Sequence, residues 1–435
     1  MLQRPDTLAL SASEIGASGS LYIGGAVLGA VFFGRLTDRL GRKKLFLTTL
    51  GVYMAATLAT ACVPDYRWFA LCRFSTGFGI GGEYAAINSA IDELIPARLR
   101  GRVNLSINGS FWLGAALGAA LSIVLLDPRI LGPVLGWRAC FLLGAAFAGV
   151  ILLVRRHVPE SPRWLVSHGR IEEAETVVRQ IEVQIEERAV GLAPATRATQ
   201  YGTTHGVTLS RVARVLFVDY RKRSLVALGL MVAQAFFYNA IFFTYALVLG
   251  SFYHVPGERV ALYIFPFALG NVLGPFILGP LFDSVGRRRM IGATYVLSGA
   301  GLALTAWAFV AGRLDARGLT LCWSTVFFMA SAAASSAYLT VSEIFPLEMR
   351  ALAIAVFYAV GTAVGGMLAP LLLGVLIQSG NRGSVAQGWA LGAVLMVAAG
   401  SLALAFGVDA ERKALEEVAP PLGNALGHGV EAGRG

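Results

Sequence analysis

Charge is what this chain has least of: 36 basic and 26 acidic residues make 14% of 435 positions, against 56% hydrophobic ones. That shortage excludes a single soluble domain, whose one core could not bury so much apolar surface. Histidine is scarce too, with five residues. None lies inside an apolar run, and no nucleophile, base and orienting group can be assembled from the spacings, so an enzyme is set aside and no cofactor or metal is implied. The four cysteines, Cys62, Cys72, Cys140 and Cys322, stand singly in apolar stretches, with no CxxC pair and no histidine at ligand spacing, which leaves them packing roles. Residues 1–14 lack a charged start followed by an apolar stretch, so no cleavable signal peptide is expected. Basic patches interleaved with aromatics are missing as well, which removes nucleic acid as a partner.

Long apolar runs are what the chain does have. They lie near residues 15–35, 45–63, 69–95, 103–126, 137–154, 224–250, 260–282, 290–311, 319–345, 352–377 and 388–407. Each is long enough to cross a bilayer, and lipid leaves helix as the only way to satisfy their backbone groups. The expectation is an all-α membrane protein of eleven spans. If the loop at residues 35–44 is cytoplasmic, strict alternation puts most of the basic residues on that side, so the net charge of +10 reads as an orientation signal. The chain is expected in a plasma membrane, the inner membrane of a bacterium, with its central loop and C-terminus in the cytoplasm.

One pattern occurs twice, 245 residues apart: GAVLGAVFFGRLTDRLGRKK from Gly25 to Lys44, and GNVLGPFILGPLFDSVGRRR from Gly270 to Arg289. Gly34, Asp38, Gly41 and Arg42 of the first copy coincide with Gly279, Asp283, Gly286 and Arg287 of the second. A second pair of landmarks keeps almost the same offset: Glu93 with Arg100 matches Glu343 with Arg350, seven residues apart in both. A duplicated membrane half is the simplest source, and duplicated halves are the usual plan of secondary transporters. The halves are expected at 1–154 and 224–408, with a polar linker at 155–223 and a tail at 409–435. Within the linker, 159–188 reads as short helices, 191–206 as a flexible link and 209–223 as an interfacial helix.

Alignment of the halves exposes a deficit. The second half starts its first run near residue 224, 59 residues before Asp283, whereas 37 residues precede Asp38. The difference is about one span. The expectation is five spans plus six, with the first helix of the first half missing and Met1 a misplaced start.

Two charges lie within the third run: Arg73 and Glu83. A charge inside a span is costly and is by default a functional hypothesis. Glu83 stands twelve residues from the end of its run, about 18 Å, hence close to the midplane. A carboxyl buried there is suited to carrying a proton, because low dielectric disfavours its charge. The glycine run from Gly77 to Gly82 fits close helix packing and not a phosphate loop, since no Lys-Ser/Thr follows it.

On the GxLxDxxGRR/K signature after the second span of a half and on PESPRWL, Pro159 to Leu165, the chain resembles the major facilitator superfamily, near its sugar porters and metabolite:proton symporters. The resemblance runs from about Ser11 to Glu417. It implies two helical bundles that rock about a central site, working as a monomer and driven by an ion or proton gradient, with a sugar or organic acid as substrate. It implies that Gly34, Asp38, Gly41, Arg42, Glu93 and Arg100, with Gly279, Asp283, Gly286, Arg287, Glu343 and Arg350, form a cytoplasmic latch. Arg73, twenty residues before Glu93, matches a sugar-porter arginine implicated in proton coupling, and Glu83 is similar to the GGEY of metabolite:proton symporters. Asn108, Gln234, Asn239 and Tyr338 fall at cavity positions. Departures are visible: Tyr238 replaces a glycine, Phe243-Thr244 replaces paired tyrosines, and Gly361 stands where a sugar-binding asparagine belongs. A transporter-like sensor or scaffold, or a truncated inactive form, is the alternative.

Overall fold

Every apolar run is helical and no strand occurs among the described residues, as backbone groups in lipid demand. The computed structural model describes residues 7–10, 12–95, 99–125, 129–155, 159–186, 209–242, 244–255, 257–346, 349–413 and 415–420. The expected flexible link at 191–206 lies outside them. The first half contains α1 (Ala12–Leu40), α2 (Arg42–Thr60), α3 (Tyr66–Leu94), α4 (Arg100–Gly109), α5 (Phe111–Leu125) and α6 (Gly132–Arg155). On the polar segment follow α7 (Pro162–Ser167), α8 (Ile171–Glu186) and α9 (Leu209–Arg214), the last running into a π turn. The second half contains α10 (Arg221–Phe242), α11 (Tyr245–Tyr253), α12 (Gly257–Ser284), α13 (Arg287–Val310), α14 (Ala316–Ile344), α15 (Arg350–Gly361), α16 (Met367–Gln378) and α17 (Arg382–Phe406), with α18 (Leu415–Val418) beyond it. Among the described residues nine stretches are long and apolar enough to span a membrane. The other two expected runs are α2 and α3, the latter carrying Arg73 and Glu83. The first half opens on α1, the counterpart of α12, with no described helix before it.

Helix limits follow local chemistry. Asp315 caps α14 by accepting from Gly318 N at 2.7 Å, and Asn381 caps α17 by accepting from Gly383 N at 2.7 Å. Besides the run at 352–377, which passes through a π turn at Thr362–Gly366 between α15 and α16, two runs that read as continuous are broken. The run at 103–126 turns at Ser110, whose hydroxyl donates to Ile107 O at 2.7 Å, and the run at 224–250 turns between α10 and α11, where the Thr244 hydroxyl donates to Ala240 O. In both places a short hydroxyl side chain competes for the helix's own carbonyls.

The outer faces are apolar: Leu28, Phe32, Leu304, Val375 and Val394 are all more than half exposed. Water would not tolerate such a belt, and hydrocarbon does.

The duplication is visible in packing as well as in sequence. α1 lies on α3 with Gly25 and Gly29 against the carbonyl oxygens of Phe74 and Phe78. In the second half α12 lies on α14 with Gly270 and Gly274 against those of Ser324 and Phe328. At all four glycines a Cβ would overlap the facing backbone. Gly77 and Gly81 return the same contact from α3 to Tyr22 and Ala26 of α1, as the glycine run suggested.

The halves meet along two seams. α1 packs on α15, and α12 packs on α4 and α5. In the second seam Gly109 forms a notch that takes the ring of Pro275: a Cβ on Gly109 would stand 2.7 Å from the proline Cβ and Cγ.

Candidate functional site

At the basic end of the bundle each duplicated motif makes its turn on a glycine in the left-handed region, Gly41 at φ 86° and Gly286 at φ 115°. The turn after α12 brings Arg287 back over the end of that helix. Arg287 is 1% exposed and every guanidinium nitrogen donates: Nε and Nη2 to the two Glu343 oxygens at 3.0 and 3.2 Å, and Nη1 to Asp283 Oδ1 and Phe282 O at 2.8 and 2.7 Å. Two carboxylates thus share one cation inside the protein, which the bidentate geometry of arginine allows and lysine's would not. Arg350 is equally buried and donates to Phe345 O at 3.3 Å.

Asp283 also reaches the other half. Its two oxygens accept from the backbone N–H groups of Gly101 and Arg102 at 3.1 and 2.8 Å, at the start of α4. A helix N-terminus attracts an anion, so the bond joins the halves by charge as well as by hydrogen bonding. Gly101 has no room for a side chain there, since a Cβ would lie 2.7 Å from Asp283 Oδ1. Asp283→Asn is expected to preserve folding but loosen this junction, because a hydrogen bond to a charged group contributes about 1.5–3 kcal/mol. Spin labels on α4 and α12 should report a broader distance distribution, and an unchanged one would count against the assignment.

The sequence reading missed two carboxylates. Glu160, within PESPRWL, accepts from Lys43 N at 3.2 Å beside Gly41, at the start of α2. Glu411 accepts from Arg287 N at 3.3 Å beside Gly286, at the start of α13. They stand 251 residues apart, almost the offset of the other landmark pairs, and that spacing was the signal available for finding them. Arg412 Nε donates to Asp283 O at 3.1 Å, so the stretch after α17 closes over the junction.

Gly34 is buried on α1, and Gly279 faces Arg102 and Leu105 of α4. The side chains of Asp38, Arg42, Glu93 and Arg100 lie outside the described residues.

Within the membrane Arg73 lies over the rings of Tyr22 and Phe141, at 4.8 and 5.8 Å from their centroids, so its charge rests on aromatic faces. Glu83, ten residues further along α3, has one carboxylate oxygen fully buried. Tyr53 of α2 lies within electrostatic range of both. The two charged residues therefore share a neighbourhood in the first bundle.

The expected cavity residues divide between two faces. On α4, Asn108 donates through Nδ2 to Asn104 O and Oδ1 at 2.9 and 3.0 Å. One turn beyond it, Trp112 reaches into the second half. On α10, Gln234 is buried and Asn239 donates to Ala235 O at 2.7 Å. Tyr338 of α14 sits beside Tyr358 of α15, ring centroids 6.2 Å apart. Gly361 is a contact point: a Cβ there would fall within 3 Å of Met231 backbone atoms, so no larger residue could stand in its place without moving α10. The tyrosine that replaces the expected glycine, Tyr238, donates to Asn271 Oδ1 at 2.8 Å, and Ser331 in turn donates to Asn271 O at 2.7 Å.

Residues 2–419 match the family described as "Sugar (and other) transporter". The niacin transporter NiaP of Acinetobacter baylyi is 40% identical over 175 residues, which is 40% of this chain and 38% of that protein. Over 91% of this chain and 84% of its own length, the inner membrane metabolite transport protein YdjE of Escherichia coli K12 is 27% identical. Among solved structures, the proton:xylose symporter XylE bound to 6-bromo-6-deoxy-D-glucose superposes with a TM-score of 0.75 at 19% identity, covering 96% of this chain and 90% of that one. The human organic anion transporter MFSD10 superposes at 0.62 with 16% identity, covering 89% and 83%. With duplicated helices, duplicated signature turns and a fold shared with the proton:xylose symporter, the chain belongs to the sugar (and other) transporter family.

Proposed function

We propose that the chain is a secondary active transporter that carries a small polar metabolite, a sugar or an organic acid, by alternating access and couples it to protons. Residues 1–154 and 224–408 are the moving bundles, 155–223 the linker, and the basic end faces the cytoplasm of a bacterium. The observation that carries the reading is the Asp283 junction. It joins the halves at one end through two backbone hydrogen bonds that a small relative motion can break and remake. Gly34, Asp38, Gly41, Arg42, Glu93 and Arg100 serve the matching latch of the first half.

Glu83 is the proton carrier in this reading and Arg73 its electrostatic neighbour, since a buried carboxyl near a cation can gain and lose a proton as the bundle opens. Asn108, Gln234, Asn239 and Tyr338 line the substrate path. The test is transport in proteoliposomes under an imposed proton gradient, with sugars and organic acids as solutes. Glu83→Gln is expected to abolish gradient-driven accumulation and to keep solute exchange. Undiminished accumulation by the variant would remove Glu83 from the coupling role.

A further inference from the structure

We infer that Trp112 is the substrate-selecting residue, and that together with Tyr238 and Phe242 it forms an aromatic clamp between the halves suited to a single flat ring and not to a polyol. The inference rests on the transport reading above.

Trp112 is twelve residues from the start of α4, about 18 Å along the helix and so near the middle of a 30 Å hydrocarbon core. It belongs to the first half, is 6% exposed, and is surrounded largely by rings of the second half. Its ring centroid lies 5.9 Å from Tyr238 at an interplanar angle of 33°, 5.5 Å from Phe242 and 5.6 Å from Phe267, the latter two edge to face. Tyr238 is held in place by its hydroxyl bond to Asn271. Because halves that rock must part and rejoin here, the indole face and the Tyr238 ring are uncovered in one phase and closed in another. A flat solute between them would gain two π contacts and seal the gap when the halves meet.

A polyol would find little of what it needs. Sugars are held by many hydrogen-bonding side chains, yet here the Tyr238 hydroxyl and the amides of Asn108 and Asn239 already donate within the protein. Gly361 offers no side chain. A flat ring with one polar or anionic substituent needs only one or two such partners. Gln234 lies one helical turn nearer the basic end than Tyr238, on the same face of α10, where it would meet that substituent.

The experiment uses the full chain, purified and also reconstituted. Binding is read by thermal shift and uptake by radiolabel, with pyridine-3-carboxylate and benzoate as flat-ring probes and myo-inositol and D-xylose as polyols. Wild type is expected to bind and take up at least one flat-ring probe with at least tenfold preference over both polyols. Trp112→Phe should keep KM within about threefold, and Trp112→Leu should raise it at least tenfold with Vmax changed less. A purely structural tryptophan would instead lower stability or Vmax equally for all solutes. Uptake of polyols in preference to rings, or an unchanged KM in Trp112→Leu, would overturn the clamp and leave the transport reading standing. Ring binding that depends on Trp112 without uptake of any solute would overturn transport and leave the clamp. Neither binding nor uptake of any probe would overturn both.

Discussion

Gly274→Val is expected to leave almost no folded protein in the membrane. The hydrogen of Gly274 faces Phe328 O so closely that even a Cβ would overlap the carbonyl, and the atom in the way is backbone, which no rotamer change can move. To admit valine, α12 must shift away from α14 along its whole length, undoing the Gly270 contact one turn away and pulling Asp283 from Gly101 and Arg102. Overpacking a well-packed core costs about 1–3 kcal/mol even where side chains can yield, and here they cannot. The measurement is size-exclusion chromatography of detergent extracts from cells expressing a fluorescent fusion: a monodisperse peak for wild type, and aggregate or nothing for the variant. Gly29→Val, its counterpart against Phe78 O, should behave alike. A control at Gly374, whose Cβ would meet nothing within 4 Å, should be silent. A normal peak for Gly274→Val would mean that the two helices are not packed as described.

Arg287→Met is expected to be the most damaging charge change. It leaves the carboxylates of Asp283 and Glu343 buried without the cation between them, and removing one partner of a buried ion network costs about 3–5 kcal/mol. That corresponds to a fall in Tm of roughly 10 °C, readable by thermal unfolding of the purified protein. Arg287→Lys should fall between, since an ammonium cannot reproduce the paired bonds to Glu343. The informative variant is the double replacement Arg287→Met with Glu343→Met, which removes the stranded charge and should recover part of the lost Tm. No recovery would place the damage in packing and not in charge. Transport should stay impaired in the double variant, because Asp283 has then lost the cation that orients it.

Much of this was legible in the sequence, for identifiable reasons. Membrane helices announce themselves by length and apolarity, so α1 to α6 and α10 to α17 fall close to the runs read from composition. The repeated Gly-Asp-Gly-Arg spacing identified Asp283 and Arg287 before any contact was known. Breaks inside runs were harder to see: Ser110 and Thr244 interrupt helices through hydroxyl bonds to the preceding turn, which look like ordinary polar residues in a span. Glu160 and Glu411 escaped because their partners are backbone N–H groups more than a hundred residues away, so the one trace they leave in the sequence is their 251-residue offset. Trp112 escaped for a related reason. An aromatic residue in an apolar helix is indistinguishable from a lipid-facing one until the opposite bundle is in place.

The notch at Gly109 gives the Asp283 junction its mechanical character. With Pro275 seated there, the seam between α4–α5 and α12 has a fulcrum near the middle of the membrane, eight residues from Gly101 and therefore a lever arm of about 12 Å. Stretching a 3 Å hydrogen bond to twice its length at the end of such an arm needs a tilt of only roughly 15°. On the proposed rocking of the halves, the bundle is geared: a modest roll at its centre becomes a decisive separation at its rim.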